Sequence, residues 1–595
     1  MTPPGDSPRT ELSYDVVLRD GSTARLRLLA PTDAKALEAF FLALAPESRY
    51  WRFFRPLKDP TPEVERLLRA DGRHAVALVA EAGASICGVA NYVRDAANPA
   101  RAEAAFAIAD RLQGRGLGTR MLEVLADVAR ARGIEAFDAF VLGGNDRMMR
   151  VFLDSGFEVQ SRLDGGVLHV VFPLSSTDRL RTRSAERSEA AAAASLRAFF
   201  VPEGVAVVGA NRERGKIGAE VLHNVIDAGF SGRLSVVHPT AASVDGVPAW
   251  RSVRDIPGPV DLAVVCVPAE HVLRITDDCI AKGVKAMVVI SAGFAETGAA
   301  GRAIERELLV KVRDAGIRLI GPNCMGIINT DPAVRLNATF APAPPREGRV
   351  AMSTQSGALG LAVLDYARQL GIGLSTFVSV SNKPDVSSND LLQYWANDPR
   401  TDVILLYLES FGNPRKFVEI ARRVSRRKPI VALKAGRSAA GSRAAASHTG
   451  ALAASDAVVD ALFQQAGVIR ATTIEELFDV AMLLSRQSPP RGSRVGILTN
   501  AGGPGILAAD ACEAHGLTLP PLSDDSVKAL RSFLPAAAAV SNPVDVIASA
   551  SASEYERALG VLLDDPAIDS AVVIFIPPLV TKADDVARAI QNAAA

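Results

Sequence analysis

Cysteine is scarce in this 595-residue chain, and the little there is lies scattered. Cys87, Cys266, Cys279, Cys324 and Cys512 are odd in number and include no C-x-x-C pair, which argues against a disulfide framework and against a zinc site. No metal is expected. A surplus of charge is lacking too: 66 Lys plus Arg meet 66 Asp plus Glu, so no global field recruits nucleic acid or a membrane surface. No apolar run approaches the length of a bilayer span, and the proline-rich, polar stretch Met1 to Pro8 is not a signal peptide. These absences point to a reducing cytosol and leave partners to be argued from individual sites. The length exceeds one core and suggests about four domains.

The stretch that organises the N-terminal part is Gln113-Gly114-Arg115-Gly116-Leu117-Gly118-Thr119. It follows an apolar run, Ala105 to Ala109, that reads as a strand, and it opens an amphipathic helix reaching to about Ala131. Gly116 and Gly118 let the backbone approach an anion closely. The first N–H groups of the helix have no internal partner, so the turn reads as a pyrophosphate cradle. A dinucleotide fingerprint would need G-x-G-x-x-G early in a parallel βαβ unit with an acidic residue after the next strand, and neither condition fits. Around the cradle, β-like runs flank Asp20-Gly21, and further strands are expected at 75–80, 86–93, 103–109, 136–142 and 167–174. A short helix from Asn145 to Ser155 ends at Gly156-Phe157.

Gln113-x-x-Gly116-x-Gly118 resembles motif A of the GNAT acyltransferases, and Asn145, Met148, Phe152, Gly156 and Phe157 fall at the spacing of the family's motif B. The resemblance implies that the turn holds the pyrophosphate of acetyl-CoA and that Asn145 helps hold the cofactor arm. Leu18-Arg-Asp-Gly-Ser22 and Pro46-Glu-Ser-Arg-Tyr-Trp-Arg-Phe-Phe54 further resemble the start of GNAT domains in Pat-type protein acetyltransferases. A lysine ammonium must lose a proton before it can attack a thioester, so such a site needs a carboxylate or a water chain nearby. Glu103, at the start of the strand feeding the cradle, is the candidate, and in Pat-type relatives that position is assigned as the base. A strand N–H near Ala107 or Ile108 would polarise the thioester oxygen. One position departs from the pattern: Phe152 stands where many relatives carry a tyrosine that protonates the leaving thiolate.

From Val205 the pattern changes. Val205-Ala-Val-Val-Gly209-Ala-Asn211 leads to Gly215 and Gly218 at the head of another helix, and strands then alternate with helices at 234–237, 261–267, 286–290 and 318–320. That alternation argues for a parallel Rossmann-like sheet. Ser291-Ala-Gly-Phe-Ala-Glu296 and Gly321-Pro-Asn-Cys324-Met-Gly326 resemble the CoA-binding domain of ADP-forming acyl-CoA synthetases and of the succinyl-CoA synthetase α chain. By that resemblance Gly209, Pro268, Asn323 and Cys324 surround CoA, though Cys324 reads equally well as a small buried residue. Ser353-Thr-Gln-Ser356-Gly357 is another strand, small-residue turn and helix start suited to phosphate. With Glu409 at a strand end and Ser447-His448-Thr449-Gly450 it resembles the phosphohistidine module of the synthetases. There His448 would carry phosphate, Glu409 would orient its imidazole, and the helix beginning near Ser356 and Gly357 would stabilise the phosphoryl oxygens. From Arg494 a third α/β unit, with Asn500-Ala-Gly502-Gly503-Pro504-Gly505, resembles the second flavodoxin-like domain and is expected to be unfinished at Ala595, with no ATP-grasp domain.

The expected architecture is α/β and multidomain. It comprises a disordered tail 1–12, a GNAT domain 13–174, a linker 175–197 with some helix, a CoA-binding Rossmann-like domain 198–340, and two flavodoxin-like succinyl-CoA synthetase-type domains at 341–488 and 489–595. The fusion resembles Pat-type acetyltransferases. It implies acetyl transfer from acetyl-CoA to protein lysines, which in such relatives include those of AMP-forming acyl-CoA synthetases, with the synthetase-like region as a regulatory CoA or acyl-CoA sensor. The alternative is a component of an ADP-forming acyl-CoA synthetase that works through phosphorylated His448 with a separate ATP-grasp polypeptide. No nucleic acid or membrane partner is expected.

Overall fold

The structure is a computed structural model and describes residues 13–83, 85–438, 440–441, 456–578 and 581–594. The expected tail 1–12 and His448 lie outside the described residues. Among the described residues no helix is long and apolar enough to cross a membrane. The chain forms two compact units, one reaching to Ser485 and one beginning at Arg486.

The first unit begins with an eight-stranded sheet. Its strands are β1 (Ser13–Val17), β2 (Thr23–Leu28), β3 (Ala75–Ala82), β4 (Ser85–Arg94), β5 (Arg101–Ile108), β6 (Ala136–Leu142), β7 (Gln160–Asp164) and β8 (Val167–Pro173), in the order β1-β2-β3-β4-β5-β6-β8-β7. Every neighbouring pair is antiparallel except β5 and β6. A parallel pair requires a crossover, and the helix Leu117–Arg130 supplies it. Leu117, Met121, Leu122, Leu125 and Val128 recur at helical spacing and are buried, each worth about 1.5–3 kcal/mol when fully removed from water. The crossover helix is thereby clamped against the sheet with its first turn beside the end of β5.

Within the expected linker 175–197, residues from Asp178 onward form one 23-residue helix, Asp178–Phe200, so the helical part is longer than expected and runs past the linker's end. Thr177 caps it, its hydroxyl accepting from Leu180 N at 3.2 Å. An alanine, arginine and serine-rich composition suits a tether and a helix alike; the apolar stripe decides. Leu180 is buried in the core of the first sheet, whereas Leu196, Phe199 and Phe200 are buried in the core of the Rossmann-like layer that follows.

That layer orders its strands Ser243–Val244, Val247–Trp250, Arg233–Val237, Gly204–Val208, Leu262–Val265, Ala286–Val289 and Arg318–Ile320, and all but the first edge strand run parallel. The next sheet orders Leu336–Thr339, Gly326–Asn329, Leu374–Ser379, Glu347–Thr354, Val403–Leu408, Ile430–Lys434 and Ile469–Ala471. The hairpin Gly326–Thr339, which the sequence reading placed in the CoA-binding domain, is therefore paired into the flavodoxin-like sheet, antiparallel to Leu374–Ser379. The second unit has its own parallel sheet, Val544–Asp545, Val495–Thr499 and Ser570–Ile574. Asn500 closes it by exchanging two hydrogen bonds with the backbone of Ile576.

Within the first unit, Arg318 is buried where several elements meet. Its Nε lies 2.9 Å from Asp385, its Nη2 3.6 Å from Asp390, and its Nη1 donates to Ser195 Oγ at 2.6 Å. Removing one member of a buried ion pair strands the others in low dielectric. Arg318→Met is expected to destabilise the first unit by about 3–5 kcal/mol, read from the denaturant midpoint of the first transition.

Candidate functional site

Beyond Glu103 the strands β5 and β6 part. Only Arg101↔Ala136, Ala102↔Phe137 and Glu103↔Asp138 are in register, although β5 runs on to Ile108 and β6 to Leu142. The splay leaves one edge of residues 104–108 unpaired by β6, and a cleft of about 850 Å³ opens there. Gln113, Gly114, Gly116, Gly118 and Thr119 line it together with Glu103, Ala107, Ile108 and Asn145. Gly116 has φ 90° and is the last residue before the crossover helix, a conformation that turns the chain sharply and that a β-carbon would strain. Gln113 is anchored from both ends of its amide, donating to the Ile108 carbonyl at 3.1 Å and accepting from Arg147 at 2.8 Å. Arg115 reaches out to Asp20 at 2.7 Å, and Leu117 is wholly buried, so neither side chain lines the cleft and both could serve an anion through backbone alone.

Asn145 caps the helix Asp146–Ser155, its side-chain oxygen accepting from Met148 N at 3.1 Å, which commits that oxygen to the fold. Phe152 is buried, its ring centroid 6.2 Å from that of Phe106 and 5.1 Å from that of Phe172. Aromatic packing thus fixes the Phe152 ring at the position where the resemblance leads one to expect a tyrosine.

The CoA-binding candidates gather at the carboxyl edge of the Rossmann-like sheet. Its strand order reverses around Gly204–Val208, where open α/β sheets form their ligand crevice. Gly209 ends that strand, and a β-carbon on Gly218 would fall on Gly209's carbonyl oxygen, so helix Ile217–Asp227 approaches the strand as closely as glycine allows. Pro268 stands immediately before helix Ala269–Lys282. Asn323 adopts φ 59°, and its backbone N–H donates to the Ser291 carbonyl at 2.9 Å. Cys324 is buried, its thiol donating to the Val289 carbonyl at 3.3 Å, and burial pushes its pKa up to about 12. It is a neutral packing thiol at pH 7, not an exposed nucleophile.

The carboxyl edge of the next sheet holds the remaining candidates. Ser356 caps helix Gly357–Gln369, its hydroxyl accepting from Leu359 N at 3.4 Å. The side-chain oxygen of Gln355 accepts from the backbone N–H groups of Glu409 and Ser410, each at 2.9 Å, and so ties two strand ends together. The structure adds Lys383, which residue patterns did not single out. Its Nζ donates to Gln355 Oε1 at 2.6 Å and to Ser410 Oγ at 2.6 Å. Burial pulls its pKa down to about 8, with Glu409 opposing the shift and Lys434 adding to it. Asn382 beside it reaches Asn323 at 3.5 Å, so the Asn323 turn and this edge meet. A lysine before proline in a polar loop, Asn382-Lys383-Pro384, carries no pattern of its own.

Comparison with known proteins assigns these layers. Residues 203–330 match the CoA binding domain, residues 347–484 the succinyl-CoA ligase-like flavodoxin domain, residues 495–594 the ligase-CoA domain, and residues 43–157 the GNAT acetyltransferase family. Over 380 residues, 64% of this chain and 82% of the relative, the sequence is 45% identical to the α subunit of ADP-forming acetate–CoA ligase II of Pyrococcus furiosus. The chain belongs to the ADP-forming acyl-CoA synthetase family. A second relative of this synthetase is ADP-forming acetate–CoA ligase I of Archaeoglobus fulgidus, 44% identical over 379 residues; these cover 64% of this chain and 54%, about half, of that longer protein. The solved structure of dinucleotide-forming acetyl-coenzyme A synthetase 1 of Ca. Korarchaeum cryptofilum, in complex with phosphate and ADP, matches with TM-score 0.64 and 39% identity, covering 67% of this chain and 86% of that one. This synthetase-family chain therefore carries a CoA-binding domain and, ahead of it, a GNAT domain.

Two predictions follow from the geometry. Gly116→Val places a branched side chain at a left-handed position in the cradle and is expected to weaken acetyl-CoA binding at the N-terminal cleft at least about tenfold by calorimetry. Lys383 is depressed below the ordinary lysine value of about 10.4, so between about 8 and 10.4 the unfolded chain holds the extra proton and this group's contribution to stability rises with pH. Anion binding that uses the ammonium runs the other way. Sulfate, whose charge is constant here, is expected to bind more weakly as pH rises from about 7.5 to 9.5, and Lys383→Met to flatten that profile.

Proposed function

We propose that residues 203–594 work as the α component of an ADP-forming acyl-CoA synthetase, making or breaking a CoA thioester through a phosphoryl group carried by His448. The observation that carries this reading is the convergence at one carboxyl edge of the Ser356 helix start, Lys383, Glu409 and Lys434, adjoining the Asn323 turn of a CoA-binding domain. The 45% identity to an acetate–CoA ligase α subunit across most of that subunit supports it. Helix N–H groups and two lysines would offset the phosphoryl charge, Glu409 would orient the imidazole, and CoA would enter beside Gly209, Pro268 and Asn323. Acetate is the substrate that the relatives' names suggest, and a separate ATP-grasp polypeptide would bind ATP and exchange its γ-phosphoryl group with His448, with ADP as the other product. This reading has more support than one in which the synthetase-like region serves only as a sensor.

A second reading concerns the N-terminal cleft, favoured by the splay of β5 and β6 with Glu103 and the glycine turn lining one cavity. There the chain would transfer acetyl from acetyl-CoA to a lysine ε-amine. Glu103 would take the ammonium proton, Gln113 to Thr119 would hold the pyrophosphate, and the unpaired edge near Ala107 and Ile108 would polarise the thioester. Water would protonate the leaving thiolate, or the thiolate would leave unprotonated, since Phe152 has no hydroxyl.

Full-length protein mixed with an ATP-grasp subunit of this synthetase class, ATP, acetate and CoA is expected to form acetyl-CoA, and His448→Ala to abolish it. Absence of synthesis with the unmodified protein would overturn the first reading. With labelled acetyl-CoA and a lysine-bearing protein, Glu103→Gln is expected to lower transfer at pH 7 by about 100-fold or more. An unchanged rate would remove Glu103 as the base.

A further inference from the structure

The segment Pro46 to Phe54 leaves one residue unaccounted for by the chemistry above. Ser48 donates to Asp110 Oδ1 at 2.6 Å beside the glycine turn, and Phe53 packs on Phe41 with ring centroids 5.1 Å apart. Arg52, on the same helix Pro46–Phe53, lines the N-terminal cleft with Glu103, Glu63 and Arg66. Its Nη2 donates to the neutral Asn91 Oδ1 at 2.7 Å, while its Nε is sealed from solvent without an acceptor. Glu63, which lines the same cleft, is already shared between Arg55 and Arg66 at 3.0 Å each. Burial, and then the neighbouring Arg66 cation, push the Arg52 guanidinium down to about 10, against the fields of Glu63 and Glu103, and it is still a cation at neutral pH. A half-buried cation with one neutral side-chain acceptor and a sealed, unpaired Nε gains from an anion that completes it. The phosphates of a CoA bound by the glycine turn would lie at the other end of β5, and on the acetyltransferase reading the acyl group and the acceptor amine would meet at the end with Glu103 and Arg52.

We propose that Arg52 is the receptor for a carboxylate that a substrate carries into the acyl end of the cleft, next to Glu103. The inference rests on the acetyltransferase reading of that cleft and narrows its substrate class. A guanidinium fork suits a planar carboxylate, and a carboxylate base beside it suits an ammonium, so the pair matches a ligand bearing both charges or a dicarboxylic acyl group meeting an amine. The carboxylate belongs either to the acyl donor, as in succinyl-CoA, or to the acceptor, as in a lysine flanked by acidic residues.

Two paired comparisons on the full chain separate the sources. The first is binding of succinyl-CoA against acetyl-CoA by calorimetry. The second is acetyl transfer to a lysine peptide flanked by glutamate against the same peptide flanked by glutamine. The expected result is a preference of about tenfold or more for the carboxylate-bearing member of one pair, falling toward about one in Arg52→Met and to an intermediate value in Arg52→Lys. The pair that shows the preference names the source. Unmodified protein indifferent in both pairs, or a preference that survives Arg52→Met, overturns the proposal. If Arg52→Met lacks a cooperative melting transition, an unchanged preference in Arg52→Lys overturns it equally. Failure of the acetyltransferase reading shows separately, as absent acetyl-CoA binding at the cleft or no acetylation of either peptide by the unmodified protein.

Discussion

The first unit depends on a guanidinium held out of water. Burial works against the charge of Arg318, yet Asp385 and Asp390 keep it protonated more firmly than an ordinary arginine. The same side chain donates to Ser195 on the long helix Asp178–Phe200, and nearby Arg313 bridges Asp15 of β1 at 2.7 Å. One charged cluster therefore joins the edge of the GNAT sheet, the connecting helix, the last Rossmann-like strand and the entry to helix Ser388–Asn397. Such a cluster specifies geometry more than it stabilises, because each of its members is unfavourable without the others.

That geometry matters because both synthetase-side sites are edges rather than pockets lined by one element. The Gly209, Pro268 and Asn323 turns lie at the carboxyl edge of one sheet, and Ser356, Lys383 and Glu409 lie at the carboxyl edge of the next. The hairpin Gly326–Thr339 follows the Asn323 turn directly and pairs into the second sheet, so the backbone itself carries one edge to the other. Sliding either sheet would separate the Asn323 turn from the Ser356 and Lys383 edge. Asn382, bonded at once to Asn323, Glu296 and Glu305, is the local fastening between them.

The GNAT domain solves a different problem with the same materials. Its parallel pair holds register for three residues and then opens, so peptide groups that a sheet would normally consume are left facing a cavity. The crossover helix supplies further free N–H groups at the neighbouring turn. Phe152 packs into the aromatic core and still lines the cleft.

Sequence alone was enough for the kinds of layer and their order. Glycine turns after apolar runs mark strand-to-helix junctions through the local conformational freedom of glycine, and Gly116, Gly209 and the Ser356 turn all stand at such junctions in the structure. Glu103, singled out from its position near the head of a strand, lines the cleft. Whatever depended on sequence-distant partners was not legible. The 175–197 segment looked like a linker because alanine and arginine serve tethers and helices alike, and only the cores at its two ends distinguish them. Residues 326–339 could pair with either sheet until the antiparallel register to Leu374–Ser379 was seen. Lys383 and Arg52 carry no motif: a lysine or an arginine is ordinary until folding removes its water and decides which acceptors it meets. That is a property of the tertiary arrangement, because desolvation is set by what packs around a charge and not by the residues beside it in the chain.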